Sequence, residues 1–148
     1  MRTERDPDIE AAISERLGAV PFYSWIGIEL VRATKGEVEL AIDLQDHHDN
    51  VQGLIHGGVI ATLLDSAAGL AVRTVLEPGH RHVTAQLDVQ YLSAARSGSR
   101  VTATGRAVRV GSQIAFAESS AKDGSGRAVA RATSTIVVTE SRSKGDER

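Results

Sequence analysis

The chain has 148 residues, 41% of them hydrophobic and 24% charged, which fits one globular domain with a core of its own and excludes a disordered chain. A net charge of -2 offers no basic field for a nucleic acid, and an aromatic content of 3% leaves few stacking platforms for single strands. No Cys is present, which excludes disulfides, thiolate nucleophiles and Cys-ligated zinc, and is in keeping with a reducing, cytoplasmic setting.

The first ten residues, MRTERDPDIE, lack an apolar run, so no signal peptide is expected. Residues 8–17 put Ile9, Ala12, Ile13 and Leu17 on one helical face. Gly18 and Pro21 are expected to end this short N-terminal helix. Residues 1–20 read as an arm, 21–139 as the domain and 140–148 as a flexible polar tail.

Residues 26–33 and 37–44 are rich in β-branched side chains around Thr34-Lys35-Gly36, the pattern of a β-hairpin. A polar stretch, Gln45 to Asn50, then leads into His56-Gly57-Gly58. Residues 59–76 form the long helix candidate, with Ile60, Leu63, Leu64, Ala67, Leu70 and Ala71 on an apolar face. The longest mostly apolar stretch, residues 59–72, is interrupted by Asp65 and is too short to span a bilayer, so no membrane association is expected. Glu77-Pro78-Gly79 stops the helix.

The period then changes to two. Residues 82–92, 100–110, 113–122 and 127–139 read as four strands of a meander, separated by glycine-containing turns. One apolar helix and one sheet face must bury each other, so the expected architecture is α+β, an antiparallel sheet wrapped around the central helix.

On the helical wheel Asp65 has Ala61, Thr62, Ala68 and Gly69 as near neighbours, with Gly58 and Val72 one further turn away. No neighbour is basic and most are small. A surface position, or packing on a strand, accounts for Asp65 more readily on the wheel alone. The small residues would equally let a backbone or a ligand approach closely. Gly57 and Gly58 leave N–H donors bare at the positive end of the helix, a place for an anion or a developing oxyanion. A tight loop-to-helix turn needs the same residues. His47, His48, His56, His80 and His82 show no metal-ligand spacing, so a solvated polar loop is expected around His47 and His48. No GxSxG elbow supports a serine nucleophile.

The run Asn50-Val51-Gln52-Gly53-Leu54-Ile55-His56-Gly57-Gly58, with Asp65 eight residues after Gly57, resembles the signature of hotdog-fold acyl-CoA thioesterases of the phenylacetic-acid-degradation (PaaI-like) group. The resemblance extends through TAQLDVQYL at residues 84–92 and GRAVARATSTIVV at residues 126–138. One departure is Ala94, where the family often has Pro, a difference that bears on loop rigidity.

The resemblance implies a hotdog fold, with six antiparallel strands around one long helix, and a homodimer or dimer of dimers with sites at the interface. It implies hydrolysis of an acyl-CoA to a carboxylic acid and free CoA, without a cofactor or metal. Asp65 would be general base or nucleophile, and the Gly57 N–H would polarise the carbonyl. Asn50 would hold the carbonyl or the water, Thr84 would stand beside the acid, and His56 would shape the helix start. Gly58, Ala61, Ala68 and Gly69 would face the substrate. Arg96, Arg100, Arg106, Arg109 and Arg127 are candidates for the charged CoA end. Gly57 and Asp65 lie about 12 Å apart along one helix, too far to share one carbonyl, so the two would come from different subunits. The alternatives are a hotdog dehydratase or hydratase, and a non-catalytic acyl-CoA-binding protein on the same fold.

Overall fold

The computed structural model describes residues 5–141. Helix α1 (Pro7–Gly18) starts where Asp6 accepts a hydrogen bond from the Ile9 N–H at 3.2 Å, with Pro7 in the first turn. Its buried face, Ile13 and Leu17, joins the main core. Pro21 does not merely follow this helix. It opens a second one, α2 (Pro21–Ile26), which ends on Gly27 at φ 86°. Proline is suited to a first helical turn because its missing N–H would be unpaired there anyway. The first strand therefore begins at Ile28 rather than at Ile26.

The hairpin is β1 (Ile28–Thr34) and β2 (Glu37–Asp43). A 3-10 turn (Asp46–His48) and a loop lead into α3 (Gly57–Arg73). Four strands follow: β3 (His80–Tyr91), β4 (Arg100–Val110), β5 (Ile114–Asp123) and β6 (Ala128–Glu140). All pairings are antiparallel, in the order β1-β2-β4-β5-β6-β3. The four-strand meander is thus corrected. Only β4, β5 and β6 follow one another, while β3 pairs with β6 and forms the far edge of the sheet. Glu140 belongs to β6 opposite His80, and the expected tail beyond Ser141 lies outside the described residues.

The sheet curls around α3. Leu63, Leu64, Ala67 and Ala71 are fully buried against Val38, Leu40, Ile42, Val101 and Ala103 from β2 and β4. A second group under α3 joins Ala68 and Val72 to Ala115, Ala117, Ile136 and Val138. The closest approach is at Gly105, where a β-carbon would stand 2.2 Å from the Ala67 carbonyl group, so only glycine lets helix and sheet come this near. No helix among the described residues is long and apolar enough to cross a membrane.

Candidate active site

The start of α3 is built by His56. Its ring Nδ1 accepts the Gly58 N–H at 2.8 Å, and its own N–H donates to the His48 carbonyl at 2.8 Å. A β-carbon on Gly58 would lie 2.9 Å from that ring nitrogen, so the cap requires glycine at this position. With the Gly58 N–H used, the Gly57 N–H is left at the helix start without a partner among the described residues. It points out of the positive end of the helix dipole, which favours negative charge. Tyr91, at the end of β3, donates its hydroxyl to the Gly57 carbonyl at 2.7 Å and holds this first turn. Nothing in the sequence pattern singled out Tyr91. Its role rests on a pairing between residues 34 positions apart. A cavity of about 300 Å³ opens beside Gly57, walled by Ile55, Ile60, Tyr91, Leu92 and Val129.

Asp65 lies two turns along α3 and is half-buried. Its Oδ1 accepts the Thr84 hydroxyl at 2.8 Å, while Oδ2 has no hydrogen-bond partner among the described residues. Thr84 faces the helix just before the irregularity that separates it from Gln86 in the β3–β6 register. A bulge of this kind re-aims side chains at the edge of a sheet. Asp65 and Thr84 therefore come together as expected, and Gly57 and His56 come together at the helix start.

Asn50 behaves differently. Its side-chain oxygen accepts the N–H groups of Gln52 at 2.8 Å and Leu54 at 3.3 Å, closing the loop through Gly53 at φ 71°. That oxygen serves the loop, which leaves the side-chain NH₂ as the group able to act on a substrate.

The expected small-residue stripe divides. Gly58 is exposed and Ala61 half-buried, but Ala68 is completely buried beneath β5 and β6. Ala68 is therefore corrected from a substrate contact to a packing residue, small because the sheet lies close. Gly69 is buried too, against the ring edge of His82, from which a β-carbon would stand 3.6 Å.

The histidine loop is also corrected. His48 is not solvated. It is buried, its Nδ1 accepting the Gln45 N–H at 2.9 Å and its Nε2 bonded to the Ile26 carbonyl at 2.9 Å. No group of acids and histidines among the described residues could hold a metal. Of the candidate arginines, Arg100 pairs with Glu29 and Asp43, Arg106 with Glu37, and Arg127 with Asp123. These are surface ion pairs, already supplied with carboxylates. Arg127 also donates to the Ala94 carbonyl at 3.0 Å, which steadies the loop that lacks the family's proline.

Known proteins resemble this chain in sequence and fold. The pattern of the Thioesterase superfamily matches residues 52–130. The medium/long-chain acyl-CoA thioesterase YigI of Salmonella typhimurium is 34% identical over 134 residues, which covers 80% of this chain and 86% of that protein. A hypothetical thioesterase from Streptococcus pneumoniae, solved with coenzyme A, superposes at a TM-score of 0.72 with 30% identity, covering 79% of this chain and 92% of that one. A variant of the phenylacetic acid degradation protein PaaI from Thermus thermophilus superposes at 0.73 with 26% identity, over 80% and 98% of the two chains. With six antiparallel strands around one long helix, and the superfamily pattern matched over residues 52–130, the chain belongs to the thioesterase superfamily as a hotdog-fold acyl-CoA thioesterase of the PaaI type.

Proposed function

We propose that Asp65 and the Gly57 N–H of two different protomers form one site that hydrolyses an acyl-CoA to a carboxylic acid and free CoA. The observation that carries this reading is the Asp65–Thr84 hydrogen bond, which fixes one carboxylate oxygen and leaves the other open. The open oxygen takes a proton from water or attacks the thioester carbonyl itself. The carbonyl oxygen, gaining negative charge, accepts the Gly57 N–H at the positive end of α3. Thioesters are activated enough for a carboxylate and one preorganised donor to suffice without a metal. The cavity beside Gly57 takes apolar parts of the substrate, and the Asn50 NH₂ group assists the carbonyl or the water.

The two-chain arrangement is supported by two features. Gly57 and Asp65 are eight residues apart on one helix, about 12 Å. The edge strand β3 also ties Tyr91 to Gly57 near one end and Thr84 to Asp65 near the other. Its outer edge has no strand partner among the described residues, and Val83 and Tyr91 on it are exposed. Antiparallel pairing of two β3 strands about a two-fold axis runs the Tyr91 end of one toward the Thr84 end of its partner. That brings Gly57 of one chain toward Asp65 of the other, twice per dimer.

The test is Asp65→Asn, which keeps the volume and removes the base. Thiol release from acyl-CoA should fall at least about 100-fold in kcat with the thermal transition unchanged. A folded Asp65→Asn protein with near-normal kcat would sink the assignment. Binding of acyl-CoA by wild type without thiol release would favour the non-catalytic alternative, and turnover of an enoyl-CoA instead would favour the hydratase.

A further inference from the structure

At the far end of α3 from Gly57 lies a group of basic side chains that the proposed chemistry does not use. Arg16 from α1, Arg73 from the last turn of α3, and Arg81 and His82 from β3 line one open cleft of about 610 Å³. Arg73 is fixed in place. Its guanidinium donates to the carbonyls of His80 at 2.6 Å, Leu76 at 2.7 Å and Glu77 at 3.1 Å, capping the helix end and the start of β3 together. Arg81 is held by Ser141 Oγ at 3.1 Å. The half-buried ring of His82 has no hydrogen-bond partner among the described residues.

What sets this group apart is that its arginines meet in one cleft whose lining holds no carboxylate. Arg32, Arg100, Arg106 and Arg127 each meet a carboxylate, but Arg16, Arg73 and Arg81 form no ion pair among the described residues. Glu140 stands opposite His80 in the sheet and Glu77 follows the helix, yet neither forms an ion pair with these arginines. Residues 142–148 carry three basic side chains against two acidic ones, so they offer no surplus of negative side chains. Crowding like charges over a half-buried ring costs free energy unless an anion is bound there. Burial, then Arg73 and Arg16, hold His82 below the ordinary histidine range despite the opposing pull of Asp65.

We infer that this cleft binds an anionic end group of the acyl-CoA, a phosphate of its CoA part or a carboxylate at the end of its acyl part. The inference rests on the reading of Asp65 as the reacting carboxylate. Asp65, Gly69 and Arg73 follow at four-residue intervals on one side of α3, so Arg73 lies about 12 Å from Asp65 along the axis. Both end groups of an acyl-CoA can extend that far from the thioester. The fixed guanidinium of Arg73 and the exposed ones of Arg16 and Arg81 suit oxyanions, which accept several charge-assisted bonds at once.

The test uses the full chain and the double substitution Arg16→Gln with Arg81→Gln. Both residues are exposed, and Arg73 keeps its capping bonds. Thiol release is measured with valeryl-CoA, with valeryl-pantetheine, which lacks the phosphates, and with glutaryl-CoA, which adds a terminal carboxylate. A phosphate in the cleft predicts a loss of about tenfold in kcat/KM with both CoA esters and none with valeryl-pantetheine. A carboxylate in the cleft predicts a similar loss confined to glutaryl-CoA. Equal kcat/KM for wild type and variant on all three substrates overturns the inference, and so does an equal loss on all three. Calorimetric titration with CoA and with glutarate separates this from the underlying reading. If no substrate releases thiol but either titrant binds about tenfold more weakly to the variant, the cleft stands and the thioesterase reading falls.

Discussion

Thr84 donates its hydroxyl to Asp65 Oδ1 at 2.8 Å and so ties the edge strand β3 to the middle of α3. The bond orients a carboxylate that has no basic neighbour on its own helix to hold it. It also couples the proposed reacting group to the strand on which the dimer is proposed to form. Replacing Thr84 by Val removes the hydroxyl and keeps the branched shape. We expect kcat to fall about tenfold with KM little changed, and Thr84→Ser to recover most of the loss. A Thr84→Val enzyme with wild-type kcat would show that the bond does not position the acid.

Gly105 tests the packing that positions α3. A methyl group there would meet the Ala67 carbonyl at 2.2 Å, which is backbone and cannot rotate away. Gly105→Ala should destabilise the fold by about 2–3 kcal/mol, read from urea unfolding. A change within about 0.5 kcal/mol would mean that helix and sheet separate easily, against the close contact described.

His82 makes stability depend on pH. Burial, then Arg73 and Arg16, lower its folded pKa below the ordinary value, with Asp65 pulling the other way. The unfolded chain therefore takes up this proton first as pH falls. Stability from this residue is full above the ordinary histidine pKa of about 6.5 and is lost as pH drops through the lowered folded value. Denaturation midpoints of wild type should fall from pH 7 to pH 5 more steeply than those of His82→Gln. Parallel profiles would show that another group carries the dependence.

How much of this was readable in the sequence follows from the range of each interaction. The 3.6-residue period of α3 and the alternation in β4, β5 and β6 are local patterns; the strands appear close to where expected, while α3 starts two residues earlier than expected, at Gly57, and ends three residues sooner, at Arg73. The place of β3 is not local: its pairing with β6 joins residues about fifty positions apart, and the intervening strands offer equally good alternating faces. Pro21 ends one helix and opens another, two roles that look alike in sequence. Small residues around Asp65 were ambiguous for a physical reason. Tight packing on a sheet and open access to a ligand both require them, and only the structure separates Ala68 from Gly58. Arg16, Arg73 and Arg81 are scattered along the chain and meet only after α1, α3 and β3 are assembled.

The shared site can be tested by complementation between two inactive variants. Gly57→Pro removes the backbone N–H. His56 already has φ -58° and ψ 130°, the conformation required of a residue before proline, and proline suits the first helical position. The new ring would press on Tyr91, whose nearest atoms stand 3.1 Å from a β-carbon at this position, so the tyrosine must yield by a few tenths of an ångström. Circular dichroism checks that the fold survives. Asp65→Ala supplies the other variant. In a mixed dimer of the two, one site carries both defects and the other pairs an intact Gly57 with an intact Asp65. Random exchange of subunits makes roughly half of the dimers mixed, so activity should recover to about a quarter of wild type. If one chain supplied both residues to each site, every site would keep a defect. Continued inactivity after subunit exchange has been verified by mass would therefore refute the two-chain site, even with Asp65 proved essential on its own.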